Sequence, residues 1–548
     1  MRGAKSAKWV TGAIIVALAA TACGGGKTDE GAKGAKGAVD PNGIFSIELG
    51  EPEKPLLTGD TMESNGSAVM AGLFSTLVDY KADGSLEMIN AESVTTTDSK
   101  TWTVKLKKGW TFHDGTPVTA KSFVDAWNWN ASVDNAQGLA SWFADIKGYE
   151  KVHPDAEGAK ATSKTLDGLK VVDEGTFTIE LAKPVPYFAH KLAYIVFAPL
   201  PDSFYKLPVK ERGLKPVGNG PYKFKSWDHK KQIEVVRYDD YKGPNKAKNG
   251  GVVFKNYTTL EAAYEDLKSG NVDVLRQIAP KDLPLYRQDL GDRAVDQAYS
   301  AIQTIAVAFY ADQWKKPKPI DPRVIQGLSM AIDRATITKT VLNGTREPAT
   351  GWVAKGVLGY QPNAVEVTKF DPAKAKELIE AGGGVPNNQI SIQYNADGGH
   401  KEWVEAVCNS ITQATTVKCV GDGKPDFQAD LTARKTKQVK SLYRSGWVLD
   451  YPVNANFISD LFRTGAGGNQ GDFSNKELDA KIAAADSAKT LDESVKAYQA
   501  IEKDLVNYMP SIPLWYYKVN AGYSENVSGV AYGQDGDPIL TGVEVKKK

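Results

Sequence analysis

Alternating apolar and polar residues predict strands in the first third of the chain. Trp102, Val104 and Leu106 lie on one face of an extended segment, with lysine and threonine on the other, which is typical of a half-buried strand. Two further alternating segments, at 169–172 and 177–181, are joined by Asp, Glu and Gly and predict a hairpin. This part of the chain is therefore expected to contain antiparallel strands.

Helix signals become clearer further along the chain. Asp-Pro pairs at 321–322 and 371–372 each place an aspartate cap before a proline at the first helical position. The first of these helices is expected to carry its apolar stripe to Ile332 and to stop by Gly344. Two more helix starts are indicated by threonine caps, at Thr119 and Thr490.

An apolar run near the C-terminus, Leu514 to Val519, predicts a late buried strand. A strand formed this late must join a sheet that earlier segments have built. At least one domain is therefore expected to be discontinuous in sequence.

The N-terminus has the pattern of an export signal. Basic residues at Arg2, Lys5 and Lys8 precede an apolar run at 10–18, and small residues lead to Cys23. The run is shorter than the ~20 residues that span a bilayer. The segment ending at Cys23 resembles a bacterial lipoprotein processing site, so we expect an acylated cysteine on the outer face of the cell membrane. An ordinary signal peptide with an incidental cysteine is the alternative.

Composition describes an ordinary globular chain. The protein has 548 residues, of which 42% are hydrophobic and 24% charged, enough for two or three domains. The formal net charge is +1, and basic residues are interspersed with acidic ones. The sequence therefore does not indicate a nucleic-acid-binding protein.

Two cysteines remain after Cys23, namely Cys408 and Cys419. An exported chain meets oxidising conditions, so these two residues are expected to form a disulfide. Two buried free thiols are the alternative.

Catalytic motifs are missing from the sequence. We find no phosphate-binding glycine loop, no paired-histidine zinc helix and no serine flanked by glycines in a nucleophile elbow. The His113–Asp114 pair lies at a strand-to-turn junction, where turn chemistry explains it. No enzyme activity, cofactor or bound metal is expected.

Taken together, several sequence blocks resemble the bacterial extracellular solute-binding proteins of family 5, which serve ABC transporters. The blocks follow the order of the family across nearly the whole mature chain. They are 91–93, 102–117, 218–222, 267–273, 331–334, 371–375 and 446–451.

The resemblance implies an α/β fold, a two-lobed periplasmic-binding-protein-like clamshell of class II with an extra domain on the first lobe. The expected divisions, in order, are a signal peptide at 1–22, a lipid-anchored flexible linker at 23–42, a discontinuous first lobe at 43–74, 211–301 and 515–548, the additional domain at 75–210, and a second lobe at 302–514.

The resemblance also implies roles for individual residues in binding an oligopeptide. Asp450 matches the family aspartate that accepts the α-ammonium of the ligand, and Arg444 and His400 match residues that meet its carboxylate. Gly446, Trp447 and Tyr451 are expected to line the cleft.

An early segment corresponds loosely to a cleft loop of the family. Its Glu63 and Asn65 are expected to contact the ligand, although the leucine, aspartate, proline signal of the family is replaced at 56–60.

The function implied is that of a monomeric receptor that delivers oligopeptides to ABC permease subunits, which are driven by separate ATPase subunits. Alternatives with the same fold are binding of an oligosaccharide or of a nickel or haem chelate, and peptide sensing without transport. A secreted hydrolase is the alternative from another class.

Acylation of Cys23 can be tested directly. Cells expressing the full chain and supplied with radiolabelled palmitate are expected to label the protein, and Cys23→Ser is expected to remove the label because no thiol remains for processing. Equal labelling of both proteins, or labelling of neither, would contradict the lipoprotein prediction.

Overall fold

The computed structural model describes residues 38–81, 83–154, 158–315 and 319–547. Val39–Lys548 forms one compact unit. The predicted signal peptide, Cys23 and most of the predicted linker lie outside the described residues.

Strands occur along the whole of this unit. In chain order they are β1 (Val39–Asp40), β2 (Ile44–Leu49), β3 (Val78–Tyr80), β4 (Leu86–Met88), β5 (Ala91–Thr96), β6 (Thr101–Leu106), β7 (Leu169–Asp173), β8 (Thr176–Glu180), β9 (Tyr222–Asp228), β10 (Gln232–Arg237), β11 (Gly251–Asn256), β12 (Val274–Leu275), β13 (Ala294–Val307), β14 (Arg346–Pro348), β15 (Gln389–Asn395), β16 (Lys418–Lys424), β17 (Leu442–Val448), β18 (Ser511–Tyr523), β19 (Val527–Ser528) and β20 (Glu544–Lys546).

The α-helices are interspersed with these strands. They are α1 (Ser64–Leu73), α2 (Ala120–Ala131), α3 (Tyr149–Val152), α4 (Phe188–Lys191), α5 (Asp202–Lys206), α6 (Leu260–Ser269), α7 (Tyr286–Leu290), α8 (Asp312–Lys315), α9 (Pro322–Met330), α10 (Arg334–Thr336), α11 (Pro372–Ala381), α12 (Lys401–Thr415), α13 (Phe427–Lys435), α14 (Ala455–Phe462), α15 (Lys476–Asp486) and α16 (Leu491–Asp504).

Eleven of the described strands form one mixed sheet. Its order is β16-β15-β17-β13-β18-β12-β2-β11-β10-β9, and β14 also pairs with β18. We call the end with β2 and β9 to β12 the first lobe and the end with β15 to β17 the second lobe. The segment from β3 to α5, which contains the separate sheet β5-β6-β8-β7, is called the additional domain.

The long strands β13 and β18 connect the two lobes. They pair antiparallel along most of their length, and the register shifts between Ala298, opposite Lys518, and Ile302, opposite Tyr516. Such an irregularity bends a strand and increases its twist. The lobe boundaries predicted after 301 and 514 fall inside these two strands and stay a prediction.

Local sequence signals explain where most of the predicted helices begin. Thr119 caps α2 through the N–H of Ser122, and Thr490 caps α16 through the N–H of Glu493. Asp371 caps α11 as predicted. The predicted strands at 102–106 and in the following hairpin are also confirmed.

The predicted linker extends too far into the folded chain. Val39 and Asp40 pair with Lys546 and Val545 of β20, and the N–H of Gly43 closes a turn onto Asp40. Backbone hydrogen bonding to the C-terminal strand therefore orders residues that composition alone assigned to a tether.

The helix that begins at Asp321 ends earlier than predicted. α9 stops at Met330, and Asp333 caps a new turn by accepting the N–H of Thr336. The break lets the buried Arg334 guanidinium donate to the carbonyls of Ser329, Ile332, Thr368 and Pro513. Satisfying these buried groups outweighs the continuity of one helix.

Two of the family-like blocks clamp each other. The N–H of Gly218 donates to Nδ1 of His113 (3.2 Å), whose Nε2 lies 3.1 Å from the carbonyl oxygen of Gly220. Burial lowers the pKa of His113 to about 4, so the ring is neutral at physiological pH. A Cβ on Gly218 would overlap the carbonyl oxygen of Leu73. His113 therefore has a structural role here.

We expect Gly218→Ala to lower the free energy of unfolding by about 1–3 kcal/mol, since overpacking forces the backbone apart. Urea denaturation provides the measurement. Gly467→Ala is the matched control, because an added Cβ there meets no atom within 4 Å. Equal stabilities of the two variants would contradict the close approach of Gly218 to the Leu73 carbonyl.

Candidate ligand-binding site

Asp450 lies just beyond the end of β17 and is tied to the start of α14. Its backbone N–H donates to Oδ1 of Asn456 (2.9 Å), and Nδ2 of Asn456 donates to its carboxylate (3.0 Å). The same Nδ2 also donates to Asp460 (2.9 Å), one helical turn further along α14. A single buried amide thus joins two carboxyl groups.

The electrostatics of Asp450 are unusual for an aspartate. Burial raises its pKa to about 7; the bond from Asn456 opposes this shift, Asp460 adds to it, and Lys191 opposes it. The pKa of Asp460 is also raised, chiefly by burial. Asp450 is therefore poised between its neutral and ionised forms near neutral pH, where a cationic ligand group would favour ionisation.

The additional domain faces this carboxyl group with aromatic side chains. Tyr187 stacks on Tyr451 with ring centroids 5.7 Å apart, and Trp142 meets Tyr451 edge-on at 6.4 Å. Trp142 in turn stacks on Tyr194 at 4.0 Å. The negative charge of Asp450 contributes to raising the pKa of Tyr80 and Tyr194, after burial.

Hydrogen bonds also join the additional domain to the second lobe. The hydroxyl of Tyr187 donates to Asp486 (2.8 Å), and that of Ser99 donates to the carbonyl of Lys489 (3.1 Å). The hydroxyl of Tyr451 donates to Asp460 (2.9 Å). Asp450 and Tyr451 therefore lie where two parts of the protein meet.

His400 is the N-cap residue of α12 and is held by Trp403 in the first turn of that helix. The indole N–H donates to Nδ1 of His400 (3.1 Å), so the proton of the neutral ring is on Nε2. Burial, together with the positive charge of Arg444, lowers the pKa of His400 to about 3. The ring is thus an uncharged N–H donor.

Arg444 lies on β17, and its positive charge acts on His400. Its Nε–H is buried and has no hydrogen-bond partner in the described part of the chain. A buried charged donor without an acceptor is costly, so this position favours an anionic ligand group. Arg346 and Arg434 also lower the pKa of His400, whereas the negative charge of Asp397 raises it, so three arginines and one aspartate act on the ring.

Gly446 and Trp447 separate Arg444 from Asp450 along the chain. Gly446 pairs with Gln303 on β13, and a Cβ there would lie 3.1 Å from the carbonyl oxygen of Ile302. The indole N–H of Trp447 donates to Oδ1 of Asn456 (3.0 Å). The ligand contact expected of Trp447 stays a prediction. Its indole N–H binds Asn456, which in turn binds the Asp450 carboxylate.

Glu63 and Asn65 make their described contacts elsewhere. The Glu63 carboxylate caps α1 by accepting the N–H groups of Asn65 (2.6 Å) and Gly66 (2.7 Å). Asn65 accepts from Gly50 and from Arg276, which pairs with Asp537 in the first lobe. These bonds give both residues structural roles, and their ligand contact stays a prediction.

A disulfide joins Cys408 in α12 to Cys419 in β16. It anchors α12, whose N-cap residue is His400, to the neighbouring strand.

Sequence reasoning missed Asn456, Asp460 and Lys191. The i,i+4 spacing of Asn456 and Asp460 is a signal that could have placed both on one helix face. Lys191 gives no such signal, since it comes from the additional domain.

Comparison with known proteins identifies the family. The family model described as "Bacterial extracellular solute-binding proteins, family 5 Middle" matches residues 87–469. The chain belongs to the family 5 solute-binding proteins. The resemblance inferred from the sequence blocks is thus confirmed, and members of this family are binding proteins rather than enzymes.

Curated relatives align along most of the chain. The oligopeptide-binding protein OppA of Bacillus subtilis (strain 168) is 26% identical over 546 residues, covering 95% of this chain and 96% of its own. The periplasmic murein peptide-binding protein MppA of Escherichia coli (strain K12) is 28% identical over 459 residues, covering 82% and 83%.

Solved structures show the same fold. The unliganded open form of the murein tripeptide-binding protein MppA has a TM-score of 0.78 at 22% identity, covering 94% of this chain and 99% of its own. Haemophilus influenzae OppA in complex with RPPGFSPFR has a TM-score of 0.74 at 22% identity, covering 93% and 100%. The predicted two-lobed α/β clamshell is confirmed.

Within the described residues there is neither a candidate metal site nor a helix suited to span a membrane. No group of three or more His, Cys, Asp or Glu side chains in this part of the chain could hold a metal ion. In the same residues, none of the helices has the length and apolar character needed to cross a membrane.

Proposed function

We propose that this protein captures oligopeptides between its lobes as the substrate-binding component of an ABC importer. The second lobe carries a cationic group, Arg444, on β17 and an acidic group, Asp450, six positions later, just after the end of that strand. The neutral His400 lies near Arg444. A peptide has an ammonium at one end and a carboxylate at the other. Asp450 could therefore pair with the ammonium of a peptide, and Arg444 with its carboxylate.

The side chains of the site support recognition of the peptide ends over a particular sequence. Asp450 gains a charge-assisted hydrogen bond when an ammonium approaches it, and such a bond is worth roughly 1.5–3 kcal/mol. The planar guanidinium of Arg444 can hold both oxygens of a carboxylate. The names of the relatives, which include oligopeptide- and murein peptide-binding proteins, point the same way.

The proposal includes where the protein acts and which subunits it serves. The chain is held on the outer face of the membrane by acylated Cys23 and delivers bound peptide to permease subunits served by separate ATPase subunits. It acts as a monomer and leaves the peptide intact. Ligand contacts to both lobes would shift the population towards a closed form that the permease can distinguish from the empty one.

We expect Asp450→Asn to weaken peptide binding at least tenfold, because it removes the charge that pairs with the α-ammonium. Native mass spectrometry of the body from Thr28 onward, with di- to hexapeptides and their N-acetylated forms, measures this. Wild-type protein should retain free peptides at unchanged mass and lose them on acetylation.

Asp492→Asn serves as the matched control, because Asp492 is an exposed aspartate of α16 that pairs with Lys496. Its peptide affinity should equal that of the wild type. An affinity of Asp450→Asn within about threefold of wild type would contradict the role of this carboxylate. Peptides bound equally with and without acetylation would favour the oligosaccharide or chelate alternatives.

A further inference from the structure

Asn456 uses every hydrogen-bonding position of its amide. Oδ1 accepts from the indole of Trp447 (3.0 Å) and from the backbone of Asp450 (2.9 Å), while Nδ2 donates to Asp450 (3.0 Å) and to Asp460 (2.9 Å). An amide has two donor hydrogens and two accepting lone pairs. The side chain is fully buried, so it has neither capacity nor access for a ligand of its own.

The bond from Asn456 also determines which oxygen of Asp450 remains for a ligand. Nδ2 binds Oδ2 of Asp450, and no other side-chain hydrogen bond to this carboxyl occurs among the described residues. Trp447 fixes the amide orientation, since an indole can only donate and must therefore face Oδ1 of Asn456. The donor hydrogens consequently face the two carboxyl groups.

We propose that Asn456 is the positioning residue of the ligand-ammonium site, which holds Asp450 aimed into the cleft and favours its ionised form. This inference depends on the proposed function for the identity of the ligand. It goes beyond it in assigning control of the carboxylate to a residue that does not touch the peptide.

The charged and titratable groups around Asp450 come from two sides. Asp460 on α14 disfavours ionisation of Asp450, and Lys191 of the additional domain favours it. The phenol groups of Tyr80 and Tyr194 face it from the additional domain. Among the described residues, Asn456 alone donates a side-chain hydrogen bond to the Asp450 carboxylate, and this bond opposes the effect of burial on its pKa.

The sign of the effect follows from these contacts. Asp450 must be ionised to pair with an ammonium, and its pKa is about 7 with Asn456 in place. Burial and Asp460 raise the pKa of Asp450, and the hydrogen bond from Asn456 lowers it. Removing this donor therefore raises the pKa further. Peptide affinity should therefore fall most at low pH and recover as the pH rises.

Titration of the ligand-free protein tests the inference without any peptide. In ¹³C NMR of protein labelled at the aspartate carboxyl carbon, the signal lost in Asp450→Asn identifies Asp450. We expect Asn456→Ala to move its midpoint upward by at least about half a pH unit, relative to wild type. An unchanged or lower midpoint would overturn the proposal, whether or not the protein binds peptides.

Calorimetric binding of trialanine between about pH 5 and about pH 9 gives the second readout. The falling limb of affinity belongs to the ligand ammonium and should be the same in all variants. The rising limb belongs to Asp450 and should shift upward in Asn456→Ala, so that affinity near pH 6 falls at least about threefold more than affinity near pH 8.

Asn454→Ala is the matched control. Asn454 is a buried asparagine just before α14, but its amide donates to the carbonyl of Val495. Its variant should keep the wild-type rising limb even if overall affinity or stability drops. A uniform affinity loss at every pH in Asn456→Ala would show a merely structural role and overturn the proposal.

A second variant covers the case in which Asn456→Ala does not fold. Trp447→Phe keeps Asn456 but removes the indole N–H that orients it, so the Asp450 midpoint should shift in the same direction. No shift in a folded Trp447→Phe would also overturn the proposal. Failure of wild-type protein to bind trialanine, combined with the expected NMR shift, would contradict the proposed function alone.

Discussion

The antiparallel pairing of β13 with β18 is the constraint on which the rest of the structure depends. These strands lie at the centre of the large sheet, with β17 on one side and β12 on the other. Each of the two strands belongs to both lobes, so a change in the relative orientation of the lobes would bend them. The register shift between Ala298 and Ile302 places an irregularity at this crossing, and such an irregularity bends a strand and increases its twist.

The charged and aromatic groups of the candidate site come from two parts of the molecule. Asp450 and Arg444 belong to the second lobe, while Lys191, Trp142 and Tyr187 come from the additional domain. A ligand that neutralises Asp450 therefore changes the electrostatic balance at a surface shared by two parts of the molecule. That is the kind of differential contact that a population shift requires.

Much of the fold could be predicted from local chemistry. Cap residues such as Thr119 and Asp371 act within one turn, and the alternation at Trp102 to Leu106 reports burial directly. The break after Met330 could not be predicted, because it serves Arg334, whose acceptors include the carbonyl of distant Pro513. Neither could the ordering of Val39, which depends on the far C-terminus.

The candidate site shows the same division. Asp450, Arg444 and His400 were found through their resemblance to family positions, not from periodicity or composition. The Lys191 ammonium, which favours ionisation of Asp450, was not found, because it comes from the additional domain and its position in the sequence carries no signal for Asp450. The i,i+4 spacing of Asn456 and Asp460 could have placed both on one helix face, but the bond from Asn456 to Asp450 depends on how the chain turns between β17 and α14.

The most direct test of the account is a crystal structure of the body with trialanine bound. The account predicts that the peptide lies between the lobes, with its ammonium nitrogen within about 3 Å of the Asp450 carboxylate and its carboxylate directed to the side of Arg444 and His400. A peptide bound in the opposite direction, or one bound away from Asp450, would contradict it.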